Sequence, residues 1–170
     1  ISVVAINDLG PVKTNAHLLK YDSVHGKFPN DIDITESTIN VGTGPIRVSA
    51  IKNPEELEWS DVDIALECTG IFNEKETAVR HLKNGSKRVL VSAPCVNADK
   101  TIVFGVNHQT LTKNDLVVSN ASCTTNCLAP IVKVLHEKLG VKRGFMTTIH
   151  SYTGDQPTLD TICLLYTSPS

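Results

Sequence analysis

The chain has 170 residues and a formal net charge of −2. This length suffices for one domain, and the charge is too small to predict a nucleic-acid or membrane partner. No apolar stretch approaches the roughly 20 residues of a membrane-spanning helix, and the N-terminus has no signal-peptide pattern. The five cysteines lack the spacing of a disulfide framework, so we expect a cytoplasmic protein with reduced thiols.

Apolar runs rich in β-branched residues predict short strands. In chain order these strands lie at residues 3–6, 35–41, 46–51, 62–66, 88–91, 101–106, 116–118 and 145–149. Capping residues and an apolar spacing of about 3.6 residues predict helices at 14–21, 74–82 and 123–139, the last ending at Gly140. Strands that alternate with helices indicate an α/β fold with a doubly wound, mostly parallel sheet, in which ligands bind at the carboxyl ends of the strands.

The most informative segment is Ser-Asn-Ala-Ser-Cys-Thr-Thr-Asn-Cys at residues 119–127, where a predicted strand ends and a helix begins. A cysteine at a helix N-terminus faces unpaired N–H groups and the positive end of the helix dipole, which favour the thiolate and lower the thiol pKa. Ser122 and Thr124 add hydroxyls to a corner that can bind an anion. Cys123 is therefore predicted to be a nucleophile, and a buried cysteine between Ser and Thr caps is the alternative. Cys127 is expected to face the core.

His150 ends a predicted strand, and Thr153 and Asp155 follow it in a loop. A histidine beside a cysteine can hold the thiolate as an ion pair and move protons, although a histidine at a strand end can also be purely structural. Thr153 and Asp155 are placed to contact a polar substrate. No metal site is expected, because Cys123, Cys127 and His150 leave a tetrahedral zinc one ligand short.

Asp8 follows the first predicted strand, while Thr69, Gly70 and Ser92 follow two later ones. In dinucleotide-binding folds an acidic residue at the end of the second strand accepts hydrogen bonds from the adenosine ribose, and its charge favours NAD over NADP. An Asp that caps a loop is the alternative. The expected glycine turn should lie about 20 residues before Asp8, so we expect the first βα unit to be missing from this chain.

Six motifs together resemble the phosphorylating, NAD-dependent glyceraldehyde-3-phosphate dehydrogenases. They are Ala-Ile-Asn-Asp-Leu at 5–9, Lys-Tyr-Asp-Ser-Val-His-Gly-Lys-Phe at 20–28, Glu-Cys-Thr-Gly at 67–70, Ser-Ala-Pro at 92–94, Ser-Asn-Ala-Ser-Cys-Thr-Thr-Asn at 119–126 and Thr-Ile-His-Ser-Tyr-Thr-Gly-Asp-Gln at 148–156. The resemblance runs from residue 1 to about residue 162. It implies a family fragment that lacks both ends.

The resemblance also implies a domain division. Residues 1–122 correspond to a Rossmann-type NAD-binding domain without its first βα unit, and residues 123–162 to the start of an α+β catalytic domain. Residues 163–170 depart from the family pattern and resemble a translated sequencing adaptor, so we expect them to be non-native.

The implied reaction is the phosphorylating oxidation of D-glyceraldehyde 3-phosphate to 1,3-bisphosphoglycerate in glycolysis. Cys123 attacks the aldehyde as thiolate, His150 acts as base, and inorganic phosphate cleaves the resulting thioester. The family is typically a homotetramer. The positions implied to contact ligands are Asp8, Leu9, Thr69, Gly70 and Ser92 for NAD, Ser122 and Thr124 for inorganic phosphate, and Thr153 and Asp155 for the substrate phosphate.

Three alternatives stand beside this interpretation. Erythrose-4-phosphate dehydrogenase shares the cysteine motif, but the hydroxyl of Thr153 favours the triose phosphate. A Cys/His hydrolase needs the same dyad and has no use for Asp8. Finally, the isolated chain is expected to be an inactive fragment, because the glycine turn and most of the catalytic domain lie outside it.

Overall fold

The computed structural model describes residues 1–151. These residues belong to two compact units, one formed by residues 1–52 with residues 149–151, and the other by residues 53–148. The predicted α/β fold class is confirmed, with parallel strand pairs in both units. The predicted domain division at residues 122 and 123 stays a prediction.

The described residues of the first unit form one helix and six short strands. In chain order these are β1 (Ala5–Asn7), α1 (Val12–Lys20), β2 (Tyr21–Asp22), β3 (Gly26–Lys27), β4 (Asp33–Ile34), β5 (Thr38–Asn40) and β6 (Pro45–Ser49). Four strands form a sheet in the order β1-β6-β5-β4, in which only the β1–β6 pair is parallel. The strands β2 and β3 form a separate antiparallel pair.

Two sets of contacts hold the first sheet together. Ile39 and Ile46 pair across β5 and β6 and are buried. At the end of β1 the Asn7 side chain donates to the Ile51 carbonyl at 2.9 Å and accepts from the Ile51 amide at 2.8 Å. The carboxyl end of β1 is therefore fixed against the chain that follows β6.

The second unit holds a fully parallel sheet. Its elements are β7 (Ile64–Glu67), α2 (Lys75–Ala78), α3 (Arg80–Lys83), β8 (Arg88–Val91), β9 (Lys100–Thr101), β10 (Val117–Ser119) and α4 (Cys123–Leu139). The strand order is β7-β8-β10-β9. The core of this unit consists of small and β-branched side chains. Alternate residues of a strand face the same side of the sheet, and the core members are Ala78, Val89, Val91, Cys95 and Val117.

Several predicted bounds are wrong by two or three residues: α1 begins at Val12, two residues before the predicted start at Thr14, and β5 keeps only Thr38–Asn40 of the strand predicted at 35–41. Three further predicted elements differ more from the structure. The helix at 74–82 is split into α2 and α3 at Val79. The strand at 101–106 keeps only its first residue in β9, because Asn107 accepts a hydrogen bond from the Val103 amide and donates to the Thr101 carbonyl, which curls the chain.

The third difference is the predicted strand at 145–149, which does not form. Residues 141–151 have no regular secondary structure. Phe145 and Ile149 are fully exposed. A strand needs a neighbour for its backbone hydrogen bonds, and no strand of the described residues pairs with this segment.

Candidate active site

The carboxyl edge of the parallel sheet in the second unit collects most of the predicted site residues. The Ser92 amide donates to the Glu67 carbonyl at 3.0 Å, and the Asn120 amide donates to the Val91 carbonyl at 2.9 Å. The ends of β7, β8 and β10 are therefore tied side by side. Thr69, Gly70 and Ser92 are exposed on this edge, as expected for a ligand site of a parallel sheet.

Cys123 begins α4 at the same edge, as the sequence predicted. Ser122 is the N-cap, and its hydroxyl accepts from the Thr125 amide at 3.0 Å. Cys123 is exposed, and its Sγ lies 4.0 Å from Oγ1 of Thr124. An exposed thiol at a capped helix N-terminus is placed to act as a nucleophile rather than as core packing.

Asn126 fixes the start of α4 against the end of β10. Its side-chain amide donates to the Asn120 carbonyl at 2.7 Å and to the Ser122 carbonyl at 2.9 Å. Between these carbonyls Ala121 has a φ of 58°, a left-handed conformation that is uncommon for a residue with a side chain. The sharp turn before Cys123 is thus held by polar contacts on both sides.

Cys127 lies one turn beyond Cys123 on α4. The prediction that it faces the core is wrong, because Cys127 is exposed. No residue of α4 is buried. The apolar side of this helix packs against nothing extensive within the described residues, which leaves Cys127 open together with its neighbours.

A tight turn follows β7. The Thr69 amide donates to Oε1 of Glu67 at 2.7 Å, and the Thr69 hydroxyl donates to the same atom. The Ile71 amide donates to Oγ1 of Thr69 at 3.1 Å. Gly70 has a φ of 73° and nothing within 4 Å of the position of a Cβ, so the turn presents open backbone.

Asp8 and Leu9 follow β1 in the first unit. The Asp8 amide donates to the Ser49 carbonyl at 2.9 Å, and the Asp8 carboxylate accepts from the Gly10 amide at 2.8 Å. Leu9 is exposed. The capping role that the sequence left open for Asp8 is therefore present, and it is compatible with a second role, since a carboxylate accepts several hydrogen bonds.

His150 lies in the exposed segment after α4, with Nδ1 at 2.6 Å from the Ser151 carbonyl. It belongs to the first unit and Cys123 to the second, so the dyad stays a prediction. Thr153 and Asp155 lie outside the described residues. Within residues 1–151 no group of three or more His, Cys, Asp or Glu is placed to hold a metal ion, and no helix has the length and apolarity to cross a bilayer.

Two protein-family models match the chain, one over its N-terminal part and one over the part that begins at Cys123's neighbour Ser122. Residues 1–75 match the model for the NAD-binding domain of glyceraldehyde 3-phosphate dehydrogenase, and residues 122–166 match the model for the C-terminal domain of the same enzyme. The chain belongs to the glyceraldehyde-3-phosphate dehydrogenase family. The second match begins beside Cys123 and includes His150, Thr153 and Asp155.

Individual relatives agree with this family. The chain is 69% identical to glyceraldehyde-3-phosphate dehydrogenase of Cereibacter sphaeroides and 64% identical to that of Xanthobacter flavus, over 95% of the chain in each case. It is 56% identical to the plasmid form of Cupriavidus necator over 94% of the chain. The chain spans about half the length of these relatives, 48–49%. Their shared name does not favour the erythrose-4-phosphate alternative.

The described residues fit NAD, the cofactor of the family's N-terminal domain. In the first unit Asp8 has a carboxylate, the group that accepts hydrogen bonds from ribose hydroxyls in dinucleotide-binding folds, and in the second unit Ser92 has an exposed hydroxyl. The open backbone at Gly70 allows close approach of a ligand, because a Cβ is absent and its place is empty.

Sequence analysis missed three residues that shape this family site. Asn126 clamps the nucleophile turn, and Glu67 with His81 supports the Thr69 turn. Glu67 could have been noticed as a carboxylate at the end of the otherwise apolar strand Ile64–Glu67. In the helix predicted at 74–82, His81 comes three residues after Ala78 and would lie on the same face, and a polar residue on such a face is a signal for a buried contact.

Proposed function

We propose that this chain is part of an enzyme about twice its length that oxidises D-glyceraldehyde 3-phosphate with NAD and inorganic phosphate to 1,3-bisphosphoglycerate. The observation that carries the proposal is the exposed Cys123 at the N-terminus of α4, at the sheet edge that also holds Thr69, Gly70 and Ser92. Family membership supplies the reaction class.

Cys123 is the nucleophile. The capped N-terminus of α4 favours its thiolate, which attacks the aldehyde carbon and forms a hemithioacetal with a C–S bond. NAD, when bound, supplies the hydride acceptor for the oxidation. His150 accepts the proton of the hemithioacetal hydroxyl as this carbon becomes a thioester carbonyl. Inorganic phosphate then attacks the carbonyl, and the Cys123 thiolate leaves.

The remaining residues bind the ligands. Asp8, Leu9, Thr69, Gly70 and Ser92 hold the adenosine side of NAD. Ser122 and Thr124 bind inorganic phosphate at the helix N-terminus, where unpaired amides and the helix dipole favour an anion. Thr153 and Asp155 contact the substrate phosphate. The enzyme is a cytoplasmic homotetramer, in which residues 1–122 belong to the NAD-binding domain and residues 123–162 to the catalytic domain.

The test replaces Cys123 in the full-length protein and measures NAD reduction with the triose phosphate and phosphate. Cys123→Ser should lower kcat by more than about a thousandfold, because a hydroxyl at this site is a poor nucleophile and a poor leaving group. His150→Asn should lower it by about a hundredfold, the usual contribution of a general base. Without phosphate, mass spectrometry should find the acyl group on Cys123.

Cys127→Ser is the matched control, since Cys127 is also exposed on α4 but lies away from the N-terminus. Its kcat should stay within about twofold of the unchanged enzyme. A Cys123→Ser enzyme that keeps a tenth or more of the activity, or acylation at Cys127, would contradict the proposal. A higher kcat/KM with erythrose 4-phosphate would reassign the substrate.

A further inference from the structure

A buried histidine–carboxylate pair lies directly behind the Thr69 turn. Nε2 of His81 lies 2.7 Å from Oε2 of Glu67, and the two residues are only 5% and 3% exposed. Trp59 stacks on the His81 ring at a centroid distance of 6.0 Å, and Phe72 meets it edge-on at 6.4 Å. The pair is thus enclosed in the second unit.

The pair connects to the turn through the other oxygen of Glu67. Oε1 accepts from both the amide and the hydroxyl of Thr69, and Oγ1 of Thr69 accepts from the Ile71 amide. Because the Thr69 hydroxyl proton is used internally, the turn presents its backbone to a ligand. One continuous set of hydrogen bonds therefore runs from the His81 ring to the backbone that follows β7.

Stability alone does not account for these residue types. Burying a polar pair such as Glu67 and His81 generally contributes less to stability than well-packed apolar side chains of the same volume. His81 also has Nδ1 buried with no hydrogen-bond partner among the described residues, which carries a further cost. This stability cost is explained if Glu67 and His81 serve to hold the backbone of the Thr69 turn in one geometry.

Glu67 is held in its ionised form. Burial raises the pKa of Glu67, but hydrogen bonds from His81 and Thr69 outweigh this effect and place the pKa below its ordinary value. An ionised carboxylate accepts hydrogen bonds on both oxygens and makes stronger ones than a neutral acid. It is therefore suited to bind His81 on one side and the Thr69 turn on the other.

We infer that His81, acting through Glu67, is a positioning residue that fixes the Thr69–Gly70 turn and thereby sets the affinity for the adenosine half of NAD. The inference rests on the proposed function, which assigns this turn to the cofactor. His81 does not touch the cofactor or the reacting atoms. Its loss should weaken binding of the dinucleotide and leave the chemical step unchanged.

The experiment compares variants of the full-length protein by calorimetry with NAD, with ADP-ribose and with nicotinamide mononucleotide. His81→Phe keeps an aromatic ring beside Trp59 and removes the hydrogen bond. This variant should bind NAD and ADP-ribose with about tenfold lower affinity, which is the equivalent of one hydrogen bond to a charged group. Nicotinamide mononucleotide affinity, and kcat at saturating NAD, should stay within about twofold. His81→Gln, which can still donate to Glu67, should recover most of the affinity.

Asn84→Ala is the matched control, because Asn84 is another buried polar residue of this unit and bonds to Pro54 and Ser86 instead of the turn. It should lower the Tm without changing nucleotide affinity. Thr69→Val removes the hydrogen bond from the Thr69 hydroxyl to Glu67 without altering the core. It should therefore lower the affinity for ADP-ribose, and this can be measured even if His81→Phe fails to fold.

Nucleotide binding and aldehyde oxidation are measured separately in the same preparation. Unchanged ADP-ribose affinity in His81→Phe, or in Thr69→Val where His81→Phe does not fold, would overturn the inference. So would an unchanged protein that binds no NAD. A protein that binds NAD with the expected pattern but oxidises no triose phosphate would support the inference and refute the proposed reaction.

Discussion

The helices of the second unit differ in what supports them. The α2 and α3 segments are short, yet Ala78 and His81 are buried against the parallel sheet. The α4 helix has 17 residues, and none of them is buried. Its first turn is nevertheless fixed, because the Ser122 hydroxyl accepts from the Thr125 amide and the Asn126 side chain donates to the Asn120 carbonyl just after β10.

The first turn of α4, which carries Cys123, is therefore held by local polar contacts. The rest of α4 depends on packing that the described residues do not provide. Val134 and Leu135, on the body of the helix, are exposed. Short-range hydrogen bonds can therefore organise Cys123 before the apolar side of its helix is covered. The comparison predicts separate behaviour for the start and the body of α4.

The largest expected effect is a reactivity difference between Cys123 and Cys127. Both thiols are exposed on α4, so exposure is matched, but only Cys123 lies at the N-terminus. In the folded chain near pH 6, Cys123 should be alkylated at least about tenfold faster, because a helix N-terminus favours its thiolate. Limiting alkylation followed by peptide mass spectrometry measures both rates.

The denatured chain is the control for that measurement. In concentrated guanidinium chloride the two rates should converge, since the helix dipole is lost. Equal rates in the absence of denaturant would show that the first turn of α4 is not formed, and the contrast between the two ends of the helix would disappear.

Local sequence signals predicted a large part of the second unit. They failed where an element depends on contacts with residues far away in the sequence. Arg88–Val91 and Cys123–Leu139 have their predicted bounds, because their apolar spacing and caps are local. The strand expected at 145–149 needed a pairing partner that sequence spacing cannot supply. The contact of Glu67 with His81 joins residues 14 positions apart, and only the fold brings them together. The pairing of Cys123 with His150 stays a prediction for the same reason.

A smaller effect on thiol reactivity should follow from removing the Asn126 hydrogen bonds at the start of α4. Asn126→Ala deletes both side-chain donors to the Asn120 and Ser122 carbonyls. The ratio of the Cys123 and Cys127 alkylation rates should fall about threefold, as the first turn frays and the thiolate loses part of its stabilisation. The same peptide analysis measures this ratio.

Lys133→Ala is the matched variant on the same helix. Lys133 also donates to a backbone carbonyl, that of Gly105 at 2.7 Å, but it lies on the body of α4. Its removal should leave the ratio unchanged. If both variants lowered the ratio equally, the start of the helix would depend on the body, and the proposed independence of the two would be wrong.

The smallest expected effect lies in the packed part of the sheet, at the start of β10. Asp99 accepts from the Leu116 amide at 2.9 Å and from the Val117 amide at 2.8 Å, and it pairs with Lys75 at 2.5 Å. The hydrogen bond from Lys75, followed by that from Val117, lowers the pKa of Asp99 below its ordinary 3.8. Asp99→Asn should lower the Tm near neutral pH by only about 2–4 °C, because the Lys75 side chain is partly exposed and the amide keeps one acceptor oxygen.

The pH dependence of this Tm difference identifies its cause. A carboxylate whose pKa is lowered by folding stabilises the folded state fully above its unfolded pKa, and the stabilisation is lost as the pH falls through the folded pKa. The Tm difference between the unchanged chain and Asp99→Asn should therefore be constant from neutral pH down to about pH 5. It should shrink at pH values below 3.8, the ordinary pKa of an aspartate. A difference that persists undiminished at lower pH would mean that Asp99 acts through shape alone, so that polar contacts would matter less in the packed sheet than at the start of α4.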